Sequence, residues 1–152
     1  MARTDTARTD AVRTDDIVEI GQTCARYSVI MTQADLSDLL SVFTPDGSYS
    51  AFGDTYPLSE FPELVEAAPK GLYLTGAPAI TFTSRDTATG VTPLCFVIDR
   101  THEQRIGYYN DTYVRVEAGW RIRTRSMTFI RRNGEHNHGI PHAHKKAQDG
   151  SR

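Results

Sequence analysis

The sequence predicts an α+β fold, a cone-shaped barrel in which three N-terminal helices pack on a curved, mostly antiparallel sheet. Apolar residues recur at helical spacing only ahead of Pro69. From Tyr73 to Arg131 the chain is instead rich in Tyr, Val, Ile, Thr and Phe, in four long segments. Ser84-Arg85-Asp86 and Glu117-Ala118-Gly119 separate neighbouring segments by hairpin-length connections, so the strands meander and do not alternate with helices.

The first helix is expected from Asp16 to Thr32. There Ile17, Ile20, Cys24, Tyr27 and Ile30 or Met31 recur every three or four positions, with Thr14 or Asp15 as N-cap. A second, shorter helix runs from Leu36 to about Phe43, and Asp35 and Asp38 lie where carboxylates favour exposed N–H groups. Thr44-Pro45-Asp46-Gly47 reads as a turn and Ser48 to Phe52 as a strand. Ser59 caps a third helix that Pro69 and Gly71 end. The long strands are Tyr73–Thr83, Thr87–Ile98, Arg105–Val116 and Trp120–Arg131. On the third of these Tyr109, Asp111, Tyr113 and Arg115 share one face, and on the fourth Arg121, Arg123 and Arg125 do.

Composition bounds the function classes. The chain has 152 residues, room for one domain, and is 39% hydrophobic and 24% charged, which is globular. A net charge of −2 lacks the basic excess of a nucleic-acid binder. No apolar run is long enough to span a bilayer and the first residues are too polar for a signal peptide, so a cytoplasmic protein with no membrane partner is expected. Residues 1–13 repeat Arg-Thr-Asp with almost nothing apolar and are expected to form a flexible arm. Residues 133–152 form a second flexible segment that holds four of the five histidines. The His-x-His pairs His136/His138 and His142/His144 could collect a transition metal, but no acidic partner or apolar packing would fix them, so no metal site is expected. Cys24 and Cys95 read as buried small hydrophobes. No phosphate-binding glycine loop, nucleophile elbow or dinucleotide fingerprint occurs.

Across residues 14–132, the order of elements, Tyr27, Asp35, Asp38, the Phe43-Thr44-Pro45-Asp46-Gly47 segment and Tyr109, Asp111, Arg115, Gly119, Trp120 and Arg125 together resemble the SnoaL-like branch of the nuclear transport factor 2-like superfamily. The resemblance implies a cone-shaped barrel with a mostly apolar pocket, often dimeric through its sheet. Ketosteroid isomerase, scytalone dehydratase, limonene epoxide hydrolase, polyketide cyclases and γ-hexachlorocyclohexane dehydrochlorinase belong to that superfamily. Their shared chemistry is cofactor-free proton transfer on a hydrophobic, often polycyclic substrate. A homodimer or higher homo-oligomer, a hydrophobic small-molecule substrate or ligand, and no cofactor follow as expectations.

By the same resemblance Asp35, eight residues after Tyr27, is the expected base, since a carboxylate in an apolar cavity is desolvated and gains basicity. Its other reading is a cap on the second helix. The histidine that partners such an acid in the dehydratase and dehydrochlorinase members is absent, and Tyr73 stands at the best-matching position. His102, the remaining histidine of the fold, falls in a strand connection. What remains is a carboxylate with phenols, nearer to ketosteroid isomerase: Asp35 moves a proton while Tyr27 and Tyr73, or Tyr109, hold an oxyanion. Tyr49, Phe52, Phe96, Tyr109, Asp111 and Trp120 are the expected substrate contacts, against outer-face readings for Tyr109 and Asp111 and a core reading for Trp120. Arg125 is open to pairing with Asp35 or Asp111, which would lower that acid's basicity; the three strand arginines otherwise read as a solvated face or dimer contact. Three functions follow: a lyase or isomerase acting on a cyclic, polyketide- or steroid-like compound; a non-catalytic binder using the same pocket; a structural partner acting through its sheet face.

Overall fold

The computed structural model describes residues 2–51 and 54–137, with side chains from Arg13 onward. Helix α1 spans Ala2–Gln33 and starts well before the expected cap, because neither Gly nor Pro interrupts residues 2–20 and Ala, Arg, Asp and Thr carry only modest helical penalties. Its buried stripe is Asp16, Ile20, Cys24, Tyr27 and Met31. Ile17, expected to open that stripe, is 47% exposed. Asp16 can stand in its place because its carboxylate is satisfied: it accepts from Trp120 Nε1 at 3.0 Å and takes both Arg115 Nη1 and Nη2 at 2.8 and 3.0 Å.

Ala34, at φ 55°, ends the helix in the left-handed region, and a 3-10 helix follows over Leu36–Val42. Leu39 and Val42 are its buried residues, so the segment expected as a short α-helix is a tighter 3-10 helix. Strand β1 (Phe43–Ala51) then absorbs the Thr44-Pro45-Asp46-Gly47 segment expected as a turn. It pairs in parallel with β7 (Gly119–Ile130), and the register shifts between Phe43 and Ser48, so the segment is a bulge inside a strand. Gly47 is needed there, since a Cβ would come 2.6 Å from the Arg123 carbonyl oxygen.

Strand β2 (Asp54–Pro57) forms a hairpin with β1, and α2 (Phe61–Ala67) follows with Phe61 and Val65 buried. Glu60, not Ser59, takes the N-cap position of α2 and makes no side-chain cap. The segment Tyr73–Thr83 is divided around Pro78 into β3 (Gly71–Thr75) and β4 (Ala79–Phe82), both antiparallel to β5 (Thr87–Ile98). Strands β5, β6 (Gln104–Val116) and β7 are the long antiparallel centre, and β8 (His136–Asn137) pairs with the end of β7. The class is α+β with helices on a mixed, mostly antiparallel sheet of order β2-β1-β7-β6-β5-β3. The sheet curves but stays open, so no closed barrel forms: its short edges, β2 and β3, are joined through α2 and not through a ladder. Among the described residues no helix is long and apolar enough to cross a membrane.

One irregularity decides what the last strand presents. Thr112 pairs with Thr124 but Tyr113 pairs with Ile122, leaving Arg123 as an extra residue on β7. Because side chains alternate, one extra residue flips every later position to the other face. Trp120 and Ile122 are buried ahead of the bulge; Arg125 and Met127 are buried after it, while Arg123 stays exposed and bonds Asp46. The three arginines therefore do not share a face, and Arg125 enters the interior.

Candidate functional site

A cavity of about 400 Å³ lies between α2, β1 and the inner face of β3, β5, β6 and β7. The even positions of β5 and the odd positions of β6 face inward, which brings Leu94, Phe96, Arg105 and Tyr109 to its wall. Tyr73, Phe96 and Arg105 are direct cross-strand neighbours on β3, β5 and β6 and form one row of that wall. The Tyr73 and Phe96 rings lie 4.7 Å apart, and across the cavity Tyr49 stacks on Phe61 at 4.5 Å. Ala67 and Pro69, both exposed, mark the mouth, at the end where β3 begins. Aliphatic and aromatic side chains supply most of the surface; the polar lining groups are the phenols of Tyr49, Tyr56, Tyr73 and Tyr109 and the guanidinium of Arg105.

Burial sets the chemistry of three of these phenols, Tyr49, Tyr73 and Tyr109. It pushes Tyr49 and Tyr109 well above the usual phenol range, and Tyr73 up to about 12, with the Arg105 charge opposing the rise. Near neutral pH these three keep their protons and can donate hydrogen bonds. No carboxylate and no imidazole lines the cavity among the described residues.

Behind Tyr109 the interior is charged yet closed. Arg125 donates Nε to Asp111 Oδ1 at 2.9 Å and Nη2 to Asp111 Oδ2 at 2.7 Å, and the Tyr113 hydroxyl donates to the same Oδ2 at 2.8 Å. The guanidinium carbon lies 4.3 Å from the Tyr27 ring centre and 4.1 Å from that of Tyr109. Tyr27 is hydrogen-bonded to Tyr109, and burial raises its phenol too. Cys24 packs beside the pair with its thiol raised by burial.

Several expected site residues are thereby relocated. Asp35 is exposed: the left-handed Ala34 turns the chain outward, and the carboxylate accepts from Ser37 N and Oγ at 3.3 and 2.8 Å as the cap of the 3-10 helix. Those Ser37 bonds lower its pKa, the opposite of what a base in an apolar cavity needs. Tyr27 is buried behind the cavity and not on its wall. Asp111 faces inward, but both its oxygens are occupied and it does not reach the cavity. Trp120 is a core residue whose indole N–H is used by Asp16. Tyr73, Tyr49, Phe96 and Tyr109 line the cavity, and Phe52 lies outside the described residues. His102 is exposed in the β5–β6 turn, at φ 56°.

Arg105 is a wall residue outside the expected contacts, and Tyr56, one of the seven tyrosines of the fold, lines the wall beside them. For Arg105 a signal existed, since it shares the parity of Tyr109 on β6; an arginine at a strand start otherwise looks like any solvated charge. No group of three His, Cys, Asp or Glu side chains placed to hold a metal occurs among the described residues, and His138, His142 and His144 lie outside them.

Comparison with known structures places this architecture. A protein of unknown function from Mycobacterium tuberculosis is similar at a TM-score of 0.70 and 24% identity, over 78% of this chain and 74% of that one. A provisionally assigned scytalone dehydratase from Novosphingobium aromaticivorans matches with a TM-score of 0.70 at 16% identity, over 88% and 97% of the two chains. A type 2 hexachlorocyclohexane dehydrochlorinase matches with a TM-score of 0.70 at 15% identity, also over 88% and 97%. At such identities the likeness is one of fold. Among curated protein sequences none matches. The family model described as the SnoaL-like domain matches residues 12–126, which hold most of α1, the cavity wall except Met127 and Phe129, and the Asp111–Arg125 pair, and the chain belongs to that family, with its nuclear transport factor 2-like fold.

Proposed function

We propose that the protein binds a hydrophobic cyclic small molecule, of polyketide- or steroid-like ring character, in the cavity beneath the sheet. The observation that carries this reading is the make-up of the wall: stacked aromatic and aliphatic surface with phenol donors. Flat rings fit between Tyr49/Phe61 and Tyr73/Phe96, and a ligand oxygen accepts from Tyr73. The test is calorimetric titration with fused-ring ketones and phenols. Micromolar binding that is abolished by Ala68→Trp, which fills the half-buried mouth without touching the core, is the expected result. Absence of binding across the set, or indifference to Ala68→Trp, overturns the reading.

A second reading keeps the lyase or isomerase function. It is favoured by Tyr73 and Arg105 standing on either side of Phe96 in one cross-strand row, a donor and a cation on the same wall that can polarise a carbonyl or hydroxyl, and by the fold shared with the dehydratase and the dehydrochlorinase. With Asp35 removed from the site, the acceptor for the substrate proton must come from outside the described wall. Turnover of a compound that binds, with no cofactor added, decides for this reading; binding without turnover decides for the first.

The resemblance also implies a second copy against the sheet, and the outer face has suitable residues. Leu74, Cys95, Ile106 and Ile130 are successive cross-strand neighbours there, with Leu74 and Ile106 59% and 47% exposed. A homodimer through this face should dissociate in the Leu74→Lys, Ile106→Lys variant, read by sedimentation velocity; an unchanged sedimentation coefficient counts against it.

A further inference from the structure

We propose that the ligand is an acid, a hydrophobic ring system whose carboxylate is bound by Arg105 with help from Tyr73. The proposal rests on the binding reading above and adds the ligand's charge and orientation. Arg105 is the charged group of the cavity wall among the described residues. It is half-buried, and no carboxylate pairs with it among the described residues. The other described arginines that are not exposed have protein acceptors: Arg13, Arg115 and Arg125 each have a carboxylate within salt-bridge distance, and Arg121 donates to the Trp120 and Ala118 carbonyls. A guanidinium held against apolar surface without a partner loses hydration and gains nothing in return, unless a ligand supplies the anion.

The geometry fits an acid with its head at the mouth. Arg105, Phe96 and Tyr73 form one cross-strand row, so the donors of the guanidinium and the Tyr73 hydroxyl flank a single aromatic ring. This row lies at the Pro69 end, whereas Tyr109 and Met127 lie deeper and are almost fully buried. A carboxylate there accepts the planar fork of Arg105 and remains close to water, which limits its desolvation, while the ring body enters the apolar interior. With Tyr73 protonated, both partners are donors, the arrangement a carboxylate takes and a cationic ligand cannot.

The test compares 2-naphthoate with methyl 2-naphthoate, the same ring with and without the charge, by isothermal titration at pH 7. The acid should bind about 10-fold or more tightly than the ester. That preference should shrink with added salt, vanish in Arg105→Gln and survive in part in Arg105→Lys. Tyr73→Phe should weaken the acid by a smaller factor. An ester that binds as tightly as the acid overturns the proposal while leaving the binding reading intact, and so does an acid preference undiminished in Arg105→Gln. If neither naphthalene binds, this proposal falls together with the binding reading. The wild-type comparison of acid with ester stands even if a variant does not fold.

Discussion

Asp111 and Arg125 face each other across β6 and β7 in a two-point ion pair, at 2.9 and 2.7 Å, with neither side chain more than 1% exposed. The pair exists because the bulge at Arg123 turns Arg125 inward. Two buried charges compensate each other, and either one alone has no counter-charge. Arg125→Met should therefore destabilise the fold by about 3–5 kcal/mol, because it strands the Asp111 carboxylate. The double variant Asp111→Leu, Arg125→Met should recover much of that loss. Urea midpoints measure both; a double variant no more stable than Arg125→Met would mean that the pair is not what holds this wall together.

Alkali should unfold the protein through its interior phenols. Burial raises the folded pKa of Tyr27, Tyr49, Tyr73, Tyr109 and Tyr113 above the unfolded value of about 10. A raised folded pKa means that the stabilisation is fully present below pH 10 and is lost as pH rises through the folded values, about 12 for Tyr73. Absorbance at 295 nm and far-ultraviolet circular dichroism, followed together from pH 8 to 13, should show these phenols ionising in step with unfolding. Tyr73→Phe should make the alkaline loss of stability shallower. Ionisation of all the phenols with the dichroism intact would overturn this account.

What the sequence disclosed and what it hid follow from the range of the forces involved. The interior stripe of α1 and the span of β5 were legible because period and β-branched content are local properties. Pro45 and Gly47 are turn residues by local chemistry, but pairing with β7 makes the segment a bulged strand. The inward turn of Arg125 was hidden for a similar reason: strict alternation puts it beside Arg121 and Arg123, and only the ladder reveals the extra residue. Asp35 shows the limit of spacing. Eight residues after Tyr27 fix its place along the chain but not its direction, which Ala34 decides by taking positive φ.

The ends of the fold can be located by trimming. Composition set flexible boundaries near residues 13 and 133, while the structure shows contacts beyond them, within the segments expected to be flexible. Arg13 lies over the Phe82 ring at 4.2 Å and donates to the Ser84 carbonyl at 3.2 Å, and β8 buries Asn137 against β7. A chain of residues 12–137 should melt within a few degrees of the full chain. Ending it at Asn133 instead removes β8 and should lower Tm by a further several degrees, since about 1 kcal/mol corresponds to roughly 2–8 °C in a domain of this size. Equal melting temperatures for the two C-terminal ends would show that β8 contributes nothing.

Asp35→Asn and Tyr73→Phe together distinguish the site read from resemblance from the site seen in the structure. Asparagine caps a helix about as well as aspartate and can still accept from Ser37, so the fold should persist. The charge itself matters only in acid. Because the folded pKa of Asp35 is lowered, its contribution is present above the unfolded carboxylate value and is lost as pH falls through the folded one; Asp35→Asn should therefore slightly flatten the acid limb of the stability curve. Ligand affinity should stay within about 2-fold of wild type, since the exposed carboxylate is not on the cavity wall. Tyr73→Phe should instead weaken an oxygen-bearing ligand by about 2–10-fold, the value of one hydrogen bond in a partly dry site, with little change in affinity for a hydrocarbon of the same shape. The reverse outcome, a large loss in Asp35→Asn with Tyr73→Phe silent, would return the site to the junction of α1 and the 3-10 helix. It would also require that junction to reorganise on binding, because Asp35 is exposed and does not line the cavity.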